Sequence, residues 1–199
     1  MTEVPSVPFE RLFTDYHTPH ELSSRPVEEE KLRELYDILK LGPTSGNCQP
    51  GRFAFLTSGD AHERLKPSLS AGNVEKAMAA PVIVIVAHDP LFFEQLPRLN
   101  EIKDLREWFA GDVGLSEETA FRNGTLQGAY LIMAARALGL AVMPMSGFDS
   151  VMVEEAFLKK EGWRANFLVA LGYPSETETS AASFSRGPRL SFEETCLCL

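Results

Sequence analysis

The run PVIVIVAHD, Pro81 to Asp89, carries apolar side chains on successive positions from Val82 to Ala87. A strand sends neighbouring side chains to opposite faces, so an unbroken apolar run predicts a strand covered on both faces. That constraint demands a central sheet with other elements packed above and below it. RFAFLTS (Arg52 to Ser58) and NFLVALGYP (Asn166 to Pro174) are further β-rich runs of strand length. At 199 residues and 44% apolar side chains, the chain is long enough for one sizeable core, and no composition shift or internal repeat divides it. One domain over 1–199 is the expectation.

The covering elements are legible as helices. PVEEEKLRELYDILKLGP has acids in its first turn, Leu32, Leu35, Tyr36 and Leu39 at helical spacing, and Gly42-Pro43 as a stop. AHERLKPSL and NVEKAMAA read as short helices between the first two strands. From Glu117 to Leu138 the chain stays helix-compatible for about six turns, ending at Gly139. Its apolar residues spread round most of the circumference towards the C-terminal half, which predicts burial nearly all round. Gly124 and Gly128, four apart, permit close approach of a second helix, and homodimerisation through this helix is expected; packing under the chain's own sheet is the alternative.

Charge and motifs exclude several functions. A formal charge of −9 and a pI near 5.0 argue against nucleic acid or an anionic membrane as a partner. No window reaches 18 apolar residues and MTEVPSVPFERLF lacks the pattern of a signal peptide, so the cytoplasm is the expected compartment. Three cysteines without framework spacing make a disulfide scaffold improbable. There is no dinucleotide-binding glycine fingerprint, no P-loop, no H-E-x-x-H and no nucleophile elbow. Cys196-x-Cys198 lacks a second ligand pair, so no metal is expected. Cys48 reads as small filler.

What remains is a scattered set: the rigid, small and polar turn GPTSGNCQP (42 to 50), NVEK (73 to 76), VMPMSGFD (142 to 149) and RGPRLSFEE (186 to 194). In that order, with WFAGD and ETAFRNGTLQGAYLIMAARALGL between them, these blocks resemble the nitroreductase family of FMN-dependent oxidoreductases. The likeness is nearest to its malonic semialdehyde reductase branch and covers roughly 25–174 and 186–199. It implies an α+β, three-layer fold with a central, mostly antiparallel sheet flanked by helices, as an obligate homodimer. An N-terminal arm (1–24) and a polar loop (175–187) complete the expected domain.

The resemblance also implies roles. FMN offers an anionic phosphate, a polar ring edge and two flat apolar faces. Arg186 and Arg189 match the family's C-terminal basic motif and would hold the phosphate by charge-assisted hydrogen bonds. Asn73 and Lys76 would hold the polar ring edge, and Pro144, Ser146 and Gly147 would run along the ring, glycine allowing close backbone approach. Pro43, Thr44, Ser45 and Asn47 would reach over the flavin of the other subunit. One departure stands out. Where the branch reads approximately R-T-H-N, this chain has HTPH, so His17 stands where a permanently charged arginine is expected, Pro19 removes a donor and Glu21 adds a negative charge. FMN binding is therefore expected to be weakened, pH-sensitive, or carried by Arg186, Arg189 and Lys76. The implied activity is ping-pong hydride transfer from NAD(P)H to a small electrophile: a semialdehyde, enoyl compound, quinone or nitro compound. A specialised flavin oxidase, desaturase or dehalogenase, or a non-catalytic dimer that has lost FMN, is the alternative.

Overall fold

A computed structural model describes residues 8–101, 105–175 and 186–199. The first seven residues of the expected arm and residues 176–185 of the expected polar loop lie outside the described residues. After a short helix α1 (Phe9–Leu12), the chain forms α2 (Glu29–Leu39), β1 (Gly51–Leu56), α3 (Gly59–Leu65), α4 (Ala71–Ala79) and β2 (Val82–His88). Then come α5 (Leu96–Leu99), α6 (Leu105–Ala110), the long α7 (Val113–Ala137), β3 (Ala141–Met145), α8 (Ser150–Val153), β4 (Arg164–Gly172) and α9 (Phe192–Thr195).

The four strands form one antiparallel sheet in the order β1-β2-β4-β3. Every residue of β2 is buried. Ile83, Ile85 and Ala87 face a core shared with Leu65 of α3, Ala77 of α4, Val153 of α8 and Leu168 of β4. Val82, Val84 and Val86 face the other way, onto Leu32, Leu35 and Leu39 of α2 and Leu131, Ala134 and Ala135 of α7. The two-sided run in the sequence is thus the middle layer of three, and each fully buried aliphatic side chain stabilises the fold by roughly 1.5–3 kcal/mol before entropy is counted.

Three expectations need correction. Helix α7 begins four residues before Glu117, at Val113, because the Asp112 carboxylate caps it by accepting from Leu115 N at 3.0 Å. It is covered all round only from Leu131 onward. Its earlier turns have a buried stripe (Ser116, Thr119, Ala120, Asn123, Gly124, Gln127, Gly128) and an open face carrying Phe121 and Leu126. Gly124 and Gly128 lie on the buried stripe: an added Cβ would meet His88 Cβ at 2.9 Å and Phe167 Cζ at 2.5 Å respectively. The glycine pair seats the helix on its own sheet. Finally, AVMPM, absent from the runs expected to be strands, is β3. Proline is tolerated there because β3 is an edge strand and Pro144 need not donate outward.

Candidate cofactor site

The edge of β3 is closed by the N-terminal arm. Tyr16 Oη donates to Val142 O at 3.1 Å and accepts from Val142 N at 2.7 Å, so one hydroxyl satisfies both backbone groups that a further strand would have taken. Burial pushes the Tyr16 phenol above its ordinary value, which keeps it protonated and able to donate; the Val142 bond and the Arg136 charge act against that rise. The Arg136 guanidinium lies 3.8 Å from the Tyr16 ring centre and donates to Leu12 O at 2.8 Å. Arg186, from the far end of the chain, donates through Nη2 to the carbonyls of Phe13, Thr14 and Tyr16 at 2.9, 2.7 and 3.0 Å. A cationic group is thereby fixed beside His17, the next residue along, whose Nδ1 lies 3.2 Å from Thr18 O. Arg189 Nη1 donates to Gly187 O and Pro188 O, both at 3.0 Å, and the residue is exposed.

At the other end of β3 a second group assembles. Asn73 Nδ2 and Ser70 N, from the start of α4, both donate to Gly147 O at 3.0 Å. A Cβ on Gly147 would stand 2.7 Å from Asn73 Nδ2 and 3.1 Å from Ser70 Oγ, so a side chain here would push Asn73 off the Gly147 carbonyl. Lys76 lies one turn further along α4 and is exposed, as are Pro144 and Ser146. Asp149 N donates to Ser68 O at 2.7 Å, pinning the same loop from the other side.

The third group is the turn after α2. Tyr130 Oη donates to Pro43 O at 2.8 Å, Ser45 N donates to Asn123 Oδ1 at 2.9 Å, and Gly51 N donates to Gln127 Oε1 at 2.6 Å. Thr44 Oγ1 accepts from Gln49 N at 3.2 Å, and Asn47 Nδ2 donates to Leu99 O at 2.9 Å. Pro43, Ser45 and Asn47 are exposed and Thr44 is half-buried. This turn runs into β1, at the opposite edge of the sheet from β3, about 14 Å away across three strand spacings. Within one chain the site residues read from the sequence therefore fall into two sets. His17, Asn73, Lys76, Pro144, Ser146, Gly147 and Arg186 belong to the β3 side, and Pro43, Thr44, Ser45 and Asn47 to the β1 side, while Arg189 lies in the tail against the Gly187 and Pro188 carbonyls. Two clefts, of 630 and 470 Å³, flank β1. Among the described residues no group of three or more His, Cys, Asp or Glu side chains is placed to hold a metal ion.

A model of the nitroreductase family matches residues 17–173. The chain belongs to the nitroreductase family. Solved structures agree in fold. A protein of Exiguobacterium sibiricum, assigned as a nitroreductase and solved in complex with FMN, superposes with a TM-score of 0.82 at 18% identity, covering 98% of each chain. A Staphylococcus epidermidis protein assigned as an NAD(P)H:FMN oxidoreductase gives 0.81 at 15% identity over 99% of each chain. CLA-ER, an enone reductase of gut-bacterial fatty acid saturation metabolism, gives 0.76 at 17% identity over 98% of this chain and all of its own. The expected nitroreductase-like α+β sheet flanked by helices is the fold found. No described helix is long and apolar enough to cross a membrane.

Sequence reasoning missed Tyr16, Ser70, Asn123, Gln127, Tyr130 and Arg136. One signal for them existed: Asn123, Gln127 and Tyr130 follow each other at spacings of four and three, a polar stripe on an otherwise apolar helix face.

Proposed function

We propose that this chain is an FMN-dependent oxidoreductase. It works as a homodimer in the cytoplasm and passes a hydride from NADH or NADPH to a small electrophilic acceptor in two half-reactions at one place. The acceptor is a semialdehyde, enoyl compound, quinone or nitro compound, and the sequence blocks favour the malonic semialdehyde reductase branch. The observation that carries this reading is the split of the site residues between the two edges of the sheet. Strand β3 and its loop run about 16 Å from Val142, where Arg186 and His17 gather, to Gly147, where Asn73 and Lys76 gather. That is the order an extended ligand with an anionic tail and a polar ring edge requires. The turn at Pro43 to Asn47 completes such a site only from a second copy.

The donor set suits FMN. Arg186 brings positive charge and N–H donors to one end of β3, where His17 also lies, and Arg189 follows three residues along the same tail. Gly147 leaves a side-chain-free backbone at the other, where Lys76 adds charge beside Asn73. Bound FMN would supply the atom that accepts and then returns the hydride. The chain's own residues bind and orient: Asn73 fixes the Gly147 carbonyl, Pro144 and Ser146 line the rim, and the partner's turn would form the opposite wall and limit water. A dedicated acid or base is not required, since water supplies the proton that accompanies the hydride. The open face of α7, with Phe121 and Leu126, and exposed Leu190 and Phe192 in the tail offer apolar surface for dimer burial.

Purified protein should be yellow or take up FMN, sediment as a dimer, bleach anaerobically with NADH or NADPH, and recover colour on adding an acceptor. Complementation tests the shared site. A Lys76→Ala chain and a chain altered at Ser45 and Asn47 should each bind FMN poorly, whereas their mixture should regain about a quarter of the sites, one per heterodimer. A colourless monomer indifferent to FMN ends this reading and favours the lineage that has lost its cofactor.

A further inference from the structure

The turn that follows α2 is a poor candidate for spontaneous order. Gly46, Asn47 and Gln49 have φ of 55°, 55° and 41°, so two side-chain-bearing residues sit in the left-handed region within one short segment. Each such residue costs of the order of 1 kcal/mol or more, and the conformation persists only where its surroundings over-determine it. Hydrogen bonds within the turn, Asn47 N to Thr44 O and Cys48 N to Ser45 O, at 3.0 Å each, do not anchor it to the body. Two bonds at the end of α5, Asn100 Nδ2 to Gly46 O at 2.6 Å and Asn47 Nδ2 to Leu99 O at 2.9 Å, hold its tip, and three side chains of α7 hold its two flanks. Asn123, Gln127 and Tyr130 reach Ser45 N, Gly51 N and Pro43 O, and the Tyr130 ring lies against Gly42, where no Cβ would fit. Asn123 is itself oriented by its Nδ2 bond to Thr119 O at 2.9 Å. Asn123 and Gln127 are buried, and a rigid helix of 25 residues carries all three.

We propose that Asn123, Gln127 and Tyr130 are positioning residues: they hold the 43–47 turn in its strained shape before any cofactor arrives, so that FMN binding at the dimer interface does not bear the cost of ordering it. This rests on the flavin reading above. The three bonds form a ladder along one helix face: Tyr130 and Asn123 fix backbone atoms of the turn, and Gln127 fixes Gly51, where the turn's exit enters β1. Loss of one rung lets the left-handed residues relax to shapes that no longer present Pro43, Thr44 and Ser45 to a neighbour. The cost then appears in cofactor affinity, because a disordered wall must be ordered on binding.

The test uses the full-length protein with FMN added to its apo form. Tyr130→Phe keeps the ring over Gly42 and removes only the bond to Pro43 O, while Gln127→Met leaves Gly51 N–H without its acceptor. Each should raise the dissociation constant for FMN about three- to tenfold. In the apo-protein, amide exchange across 43–51 should quicken while β2 and the C-terminal half of α7 keep their protection. Gln127→Glu retains an acceptor for Gly51 N–H, in a cleft that Arg52 also lines, and should recover most of the affinity. The proposal is overturned if wild type binds FMN and both Tyr130→Phe and Gln127→Met bind it equally well, or if Gln127→Glu is as weak as Gln127→Met. A wild type that takes up no FMN removes the flavin reading itself, and this proposal with it; the wild-type titration alone distinguishes that outcome.

Discussion

The seating of α7 on the sheet makes the substitutions Gly124→Ala and Gly128→Ala diagnostic. In the middle of a helix, alanine in place of glycine stabilises by about 1 kcal/mol through backbone entropy alone. Against that gain stand the contacts. At Gly124 the new methyl would lie 2.9 Å from His88 Cβ and 3.7 Å from Ala87 O, atoms tied to a central strand that cannot yield. At Gly128 it would lie 2.5 Å from Phe167 Cζ and 3.0 Å from Val86 Cγ1. Overpacking of this kind costs typically 1–3 kcal/mol, so each variant should show a net loss of up to about 2 kcal/mol. The double variant should lose less than the sum, because the two sites share one helix and one strand and the first displacement relieves the second. Urea unfolding at several protein concentrations separates fold from assembly: the midpoint should fall by the same amount at every concentration, while sedimentation shows the oligomeric state unchanged. Either variant becoming about 1 kcal/mol more stable, or dissociating without losing fold stability, would refute the packing argument and return these glycines to an intermolecular role.

Other consequences are measurable. Arg189→Ala should weaken FMN binding by about ten- to a hundredfold through loss of a charge-assisted bond, read by flavin-fluorescence titration; an unaltered constant excludes Arg189 from the site. His88 is buried, its Nδ1 has no hydrogen-bond partner among the described residues and its Nε2 lies 3.8 Å from Glu117, and burial lowers its imidazole against the pull of Glu117 and Glu154, with Arg164 adding to the lowering. The unfolded chain therefore protonates first, so stability should be level above about pH 6.5 and decline below it by up to ~1.4 kcal/mol per pH unit from this residue. If that slope survives in His88→Leu, another group is responsible. The buried Cys48 thiol is pushed up to about 11 by desolvation, so at pH 8 it should resist a thiol reagent and react only on unfolding; modification in the folded protein, found by mass spectrometry, would contradict its burial.

How much of this was legible depended on the kind of signal. Strand β2 announced itself because burial on both faces leaves an uninterrupted apolar run, and α2 because its apolar stripe and Gly42-Pro43 stop agree. Strand β3 did not, since five residues with a proline carry almost no pattern, and their pairing with β4 is a long-range fact. The glycine pair of α7 signalled close approach without saying what approaches. Asn73 and Gly147 were named separately, and only the fold shows the bond between them. Tyr16, Arg136, Asn123 and Gln127 stayed hidden for a common reason. Their partners are backbone groups, which every residue offers alike, so nothing at the receiving position marks the contact.

Arg186 reaches back across 170 to 173 positions to grip Phe13, Thr14 and Tyr16. Topologically, this guanidinium helps to fasten the polypeptide into a closed hoop, together with the Leu22–Pro174 bridge and the Ser23 N to Tyr173 O bond. Whatever loosens one free end, a clipped tail or a bulky fusion tag, should then be felt at the other, and through Tyr16 along the whole border of the sheet.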